Sequence, residues 1–152
     1  YTVVDHIRNF LSQVFDAMGL EVEILIKPSD EENVYDVELK GNEMGVLIGK
    51  RGQTLDSLQY LTNLAINKHS ETYTRVKLDT EDYRKRRKET LENLARNIAY
   101  KVKRTKKAVS LEPMNPFERR VIHSALQNDR YVSTHSEGDE PYRHVVITLK
   151  RQ

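Results

Sequence analysis

Gly49-Lys50-Arg51-Gly52 lies between the apolar pair Leu47-Ile48 and a run of Leu55, Leu58, Leu61, Leu64 and Ala65 at spacings of three and four. Residues of these types could hold a phosphate. Glycine at both ends of a turn lets a polynucleotide backbone approach with no Cβ in the way. A helix starting directly after the turn aims its first N–H groups and its positive dipole end at the same point. Lys50 and Arg51 add two mobile positive charges there. Two glycines two residues apart are weak by themselves and mostly mark a turn or a helix stop. The buried helix face expected from Leu55 to Ala65 gives this pair its weight. A nucleotide P-loop does not fit, because it needs Gly, four residues, then Gly-Lys-Ser/Thr. Gly45 precedes Gly49-Lys50 by three residues only, and Arg51 has no hydroxyl for magnesium. There is no Gly-x-Gly-x-x-Gly for a dinucleotide either.

Arg119 and His123 form a second pair, four apart on one expected helix face. Arginine offers a planar fork for phosphate and can stack on a base. Histidine can stack, hydrogen-bond, or take a charge near neutral pH. An isolated Arg-x-x-x-His is more often an ordinary surface or half-buried pair, so its surroundings decide. Catalytic constellations are thin. Asp79, Glu81 and Asp82 cluster at a strand–helix junction, where capping explains them. His135 and His144 could face one another across a hairpin and take a metal. Without a carboxylate or cysteine at ligand spacing they read as strand residues. No Ser–His–Asp spacing is present. The expectation is a chain with no catalytic residues, no metal and no cofactor. Tyr60, Tyr83, Tyr100 and Tyr131 could stack on bases, but packing with an exposed hydroxyl is the commoner role.

The elements that must position these groups follow from periodicity. Ile7, Leu11, Val14 and Met18 predict a helix over roughly residues 2–18, stopped by Gly19. Val22, Ile24, Ile26 and Tyr35, Val37, Leu39 alternate as two strands joined through Pro28-Ser29-Asp30. The helix–turn–helix around Gly49 and Gly52 runs to about Lys68, and Tyr73–Leu78 is a third strand. A long helix is expected from Thr80, with Thr80 as its cap, Glu81 and Asp82 in its first turn, and a stripe of Leu91, Leu94, Ala95, Ile98 and Val102. Val109 and Leu111 belong to a short loop. Pro116, Phe117, Val121, Ile122 and Leu126 mark a further helix. Tyr131–Ser136 and Arg143–Lys150 read as two strands.

The 152 residues are 38% hydrophobic and 32% charged, enough for small cores under a heavily charged surface. No stretch approaches the roughly 18–20 apolar residues of a membrane span. There is no cysteine, which excludes disulfides and thiolate metal sites. Residues 1–79 carry 8 basic against 13 acidic side chains, a net −5, while residues 80–152 carry 17 against 10, a net +7. This split suggests two units with different surfaces. The basic half is the better match for phosphate. The chain opens on Tyr1, not Met, and is expected to come from a longer one.

The residues Ile48-Gly49-Lys50-Arg51-Gly52 with Thr54-Leu55, then Met114-Asn115-Pro116-Phe117-Glu118-Arg119-Arg120-Val121-Ile122-His123, then Ser136-Glu137-Gly138 and Arg143 resemble the Jag family. These are SpoIIIJ-associated bacterial proteins with a KH domain followed by an Arg-xxx-His (R-three-H) domain. The resemblance covers essentially the whole chain. It implies an α+β fold of two small domains. Residues 1–79 would be a type II-like KH domain (α-β-β-α-α-β), a module that clamps about four single-stranded nucleotides. Residues 80–152 would be an α/β R-three-H domain with helices on a short sheet. The implied nucleic-acid contacts are Gly49, Lys50, Arg51, Gly52, Arg119, His123 and Arg143, with bases read mainly on the sheet beside the Gly-turn helix.

The resemblance further implies a cytoplasmic, non-catalytic binder of single-stranded RNA, or of single-stranded DNA, linked to cell elongation and division. A small single-KH protein is an implied partner. The family name records an association with a membrane-protein insertase. Full-length members carry an additional N-terminal domain, through which any peripheral membrane association would run. The alternative is an interaction scaffold, which the acidic first half favours because it suits a general polyanion poorly.

Overall fold

Thr2 opens the first helix with a reciprocal cap: its hydroxyl accepts the Asp5 N–H at 3.2 Å, and the Asp5 carboxylate accepts the Thr2 N–H at 3.1 Å. The computed structural model describes residues 2–151. Helix α1 (Val3–Met18) ends at Gly19, which takes the left-handed conformation (φ 71°). Strands β1 (Glu23–Pro28) and β2 (Val34–Lys40) pair antiparallel, with Ile24 opposite Leu39 and Ile26 opposite Val37. Helix α2 (Met44–Ile48), a single 3-10 turn (Lys50–Gly52) and helix α3 (Gln53–Asn67) then cross over to β3 (Arg75–Asp79). Strand β3 lies parallel to β2, the pairing that demands such a crossover. The sheet order is β1-β2-β3. Ile7, Leu11 and Phe15 of α1 meet Ile24, Val37, Leu39, Leu55, Leu58, Val76 and Leu78 in one core. This unit ends at Arg84, and a second compact unit begins at Lys85.

Two sequence expectations in the first unit are corrected. Leu61 and Leu64 are not on the buried face of α3; they are 51% and 52% exposed. The helix buries Leu55, Leu58 and Thr62 and turns a polar stripe, Gln59, Asn63 and Asn67, onto β3, which leaves Leu61 and Leu64 on the outer flank. Thr80 is not a helix cap. Its buried hydroxyl donates to the Leu39 carbonyl at 2.6 Å and ties the end of β3 to β2. Glu81 and Asp82 have φ of 54° and 53°, so they stand outside the helix. Helix α4 (Tyr83–Thr105) starts after them, and Asp79 accepts the Arg84 N–H at 3.3 Å.

In the second unit α4 buries Leu91, Ala95, Ala99 and Val102 against helix α5 (Pro116–Leu126) and the sheet residues Val132, Val145 and Ile147. Asn115 caps α5 through the Glu118 N–H at 2.8 Å, with Pro116 in the first turn. Phe117, expected on the inner stripe, is 53% exposed; the inner face holds Glu118 and Arg119 beside Val121, Ile122 and Leu126. Val109 and Ser110, expected in a loop, form strand β4, which pairs with strand β6 (His144–Leu149). Strand β5 (Val132–Glu137) takes the other side of β6, giving the order β4-β6-β5. Asp129 anchors the entry to β5 by accepting the Tyr131 and Val132 N–H groups and the Lys103 ammonium at 2.9 Å. Burial alone would raise its pKa, but those donors outweigh it and hold the carboxyl below the usual range. No helix among the described residues is long and apolar enough to cross a membrane.

Candidate nucleic-acid interface

The Gly-turn is built by three backbone choices. Gly49 has φ 70° and ψ −169°, Arg51 has φ 56° and ψ 29°, and Gly52 has φ 77° and ψ 10°. Gly49 and Gly52 lie where a side chain is strained, and Arg51 occupies the left-handed region that few non-glycine residues use. A Cβ on Gly49 would run into the Thr54 side chain, whose Cβ would lie 2.8 Å away. A Cβ on Gly52 would lie 2.5 Å from the Tyr83 ring. The space left by the missing Cβ atoms is therefore filled by Thr54 and Tyr83, not held open for a ligand. Lys50 is exposed at the turn. No side chain caps the first turn of α3, so that helix end keeps its positive character. Asp56, the one acid in that turn, is held by Arg84 at 2.8 Å, which balances its charge.

Beside this turn the outer edge of β3 is closed. The Asn63 carboxamide donates to the Val76 carbonyl at 2.9 Å and accepts the Val76 N–H at 2.7 Å. Asn67 does the same for Thr74, both bonds at 2.7 Å. Gln59 accepts the Leu78 N–H at 2.8 Å, and Arg84 donates to the Leu78 carbonyl at 2.8 Å. The backbone groups of this edge are thus bonded to side chains of the same unit. A polar stripe at i, i+4 and i+8 on α3, just ahead of an alternating strand, was the sequence signal for this ladder. Tyr60, Leu61, Leu64 and Tyr73 stand exposed on the outer side of the same region.

In the second unit Arg119 and His123 project from one face of α5, but both already have protein partners. Arg119 is 8% exposed; its guanidinium donates to the Met114 carbonyl and to the Glu140 carboxylate, each at 2.6 Å. His123 is half-buried, with Nδ1 2.6 Å from the Thr134 hydroxyl and Nε2 3.0 Å from the Ser136 hydroxyl. Burial lowers its pKa, and the nearby charges of Arg119 and His135 lower it further. Arg143 is half-buried at the hairpin and donates to the Gly138 carbonyl at 2.7 Å. His135 and His144 do not face each other: His135 lies opposite Val146, and His144 lies opposite Glu137. Part of the basic run on α4 is also engaged, since Arg87 pairs with the buried Glu118 at 2.8 Å.

A KhpA/KhpB KH domain model matches residues 4–78, and an R-three-H domain model matches residues 89–149. The chain is 66% identical over 151 residues to the RNA-binding protein KhpB of Clostridium symbiosum, covering 99% of this chain and 68% of that protein. It is 37% identical over 150 residues to the RNA-binding protein KhpB of Bacillus subtilis (strain 168), covering 97% of this chain and 71% of the relative. The chain belongs to the KhpB family. This is the Jag family of the sequence resemblance, and the α+β architecture with a KH domain followed by an R-three-H domain agrees with it. A further KhpB relative, from Lactiplantibacillus plantarum, is 37% identical, and the match spans 46% of its length.

Proposed function

We propose that this KhpB-family chain is a non-catalytic binder of single-stranded RNA, acting in the control of cell elongation and division. The observation that carries the reading is the Gly49–Gly52 turn. It sets exposed Lys50 at an α3 terminus that no side chain caps, where a phosphate gains both a charge and the positive end of the helix dipole. In the second unit the contact is placed at His123 and Arg143, on the β5 side and the hairpin. Arg119 acts from beneath as a positioning residue. RNA is favoured over DNA by the names of the relatives.

A second reading, docking of a small single-KH protein, is favoured by the exposed side chains Tyr60, Leu61, Leu64 and Tyr73 of the first unit. The test for the first reading is fluorescence anisotropy of the chain with short labelled single-stranded RNAs over a salt series. Wild-type affinity should fall steeply with salt, and Lys50→Asp/Arg51→Asp should weaken it roughly tenfold or more while flattening the salt slope. Absence of binding by the wild type at low salt would overturn the RNA reading and leave the docking one.

A further inference from the structure

We propose that Tyr131, at the entry to β5, is a stacking platform for one base of a single-stranded RNA, set in a basic surface made by the end of α4 and the residues around β5 and β6. This rests on the nucleic-acid reading above. It adds a base-contacting residue at the end of β5 away from the hairpin.

The residue is exposed and yet fixed. Val132 enters the core of the second unit, whereas Tyr131 stays at its rim, 50% exposed. Its N–H donates to the Asp129 carboxylate at 2.8 Å, and its carbonyl accepts the Lys150 N–H at 2.7 Å. The Lys103 ammonium, which donates to Asp129 at 2.9 Å, stands over the ring at 5.5 Å from its centre. Lys150 closes the arrangement by donating its ammonium to the Asp129 carbonyl at 2.6 Å. A tyrosine has two χ angles to order, and here the backbone and one side of the ring are already held. Such a side chain loses little freedom when a base settles on it. Tyr100, 65% exposed on α4, is held less: Arg104 of its own helix stands 5.8 Å from its ring centre.

The charge around the ring selects the occupant. From residue 93 to residue 111 the chain carries six basic side chains, Arg96, Lys101, Lys103, Arg104, Lys106 and Lys107, and no acid. Complementing the end of a helix takes only about half a charge, so most of this charge serves something else. Arg130 and Lys150, both exposed, flank the ring in sequence and in the sheet. Asp129, the acid beside it, is matched by Lys103 and by two backbone N–H groups. A half-exposed aromatic ring inside a cationic surface suits a polyanion that also carries flat apolar faces, which describes a single-stranded nucleic acid. The site is continuous with the His123 side of the unit. His123 contacts Thr134 and Ser136, and Tyr131 precedes Thr134 by three residues, roughly 10 Å along the chain. One short strand can therefore touch both.

The chain has no tryptophan, so Tyr131→Trp places one fluorescent reporter at the platform. The experiment follows its emission in the whole chain as a mixed-sequence single-stranded RNA is added, and separately an abasic ribose-phosphate strand of the same length. The expected result is quenching by the RNA and none by the abasic strand. In fluorescence anisotropy Tyr131→Ala should bind the RNA about fivefold or more weakly than the wild type, and Tyr131→Phe should bind like the wild type. The salt slopes of all three should agree, since stacking releases no counterion. Emission that stays constant while the Tyr131→Trp chain binds RNA overturns the proposal and leaves the RNA reading standing. Equal weakening of Tyr131→Ala on both strands also overturns it, because the ring would then act through the fold or the phosphates. If the wild type binds no RNA at low salt, the RNA reading fails and the proposal fails with it.

Discussion

Asn63 and Val76 exchange two hydrogen bonds: the carboxamide Nδ2 donates to the Val76 carbonyl at 2.9 Å, and Oδ1 accepts the Val76 N–H at 2.7 Å. Val76 is fully buried, so neither backbone group has water to fall back on. Asn63→Ala should destabilise the first unit by roughly 1–3 kcal/mol, the cost of leaving buried polar groups unpaired. Asn63→Asp keeps the acceptor but turns a carboxylate oxygen toward the Val76 carbonyl, and should cost at least as much. Urea denaturation of both variants checks this; melting curves that overlay the wild type would show that the ladder is incidental.

The glycines in and just before the turn differ in kind, and substitution separates them. Gly45 lies inside α2, and a Cβ added there would meet nothing within 4 Å, whereas Gly52 has φ 77° and faces the Tyr83 ring. Gly45→Ala should stabilise by about 0.5–1 kcal/mol, since alanine loses less freedom in a helix. Gly52→Ala should destabilise by about 1–3 kcal/mol from backbone strain, with the ring clash added. Thermal melts of the two variants should therefore shift in opposite directions.

Much of this was legible in the chain. The helix over 3–18, the β1–β2 hairpin, the Gly-turn and α5 are each announced by period, cap or breaker residues whose action is local. What escaped was set by packing between elements. Nothing within α3 tells Leu61 and Leu64 that the side toward β3 is taken by Gln59, Asn63 and Asn67. Nothing near Val109 announces that its pairing partner is Ile147. Arg119 and His123 were legible as a pair on one face, from their spacing. Their burial was not, because the partners Glu140, Thr134 and Ser136 come from the far end of the unit.

Arg119 is placed to hold two segments together, the Met114 carbonyl before α5 and Glu140 in the hairpin. Arg119→Ala should destabilise the second unit by roughly 1–3 kcal/mol, chiefly by orphaning the Met114 carbonyl. Arg119→Lys should recover only part of that, because an ammonium cannot reproduce a fork aimed at two acceptors. Glu140 is half exposed, so Glu140→Gln should cost under about 1 kcal/mol. Denaturant titrations of the three variants should rank them in that order. A loss of RNA affinity in Arg119→Ala unaccompanied by a loss of stability would instead make Arg119 a direct contact.

His123 supplies a pH dependence with a definite sign. Burial, then the charges of Arg119 and His135, hold its folded pKa below the ordinary 6.5. Between the folded value and 6.5 the unfolded chain binds more protons than the folded one, so stability falls as pH falls through that window and is fully present above it. Its ring nitrogens face the Thr134 and Ser136 hydroxyls of β5, which can serve as donor or acceptor. A protonated ring can therefore keep both contacts, and the destabilisation comes from placing a charge in a half-buried site near Arg119 and His135. His123→Gln removes the titrating group. Its stability measured by urea denaturation should depend less on pH than the wild type below about 6.5, and the two profiles should run parallel above it. Parallel profiles across the whole range would mean that His123 does not change its proton affinity on folding.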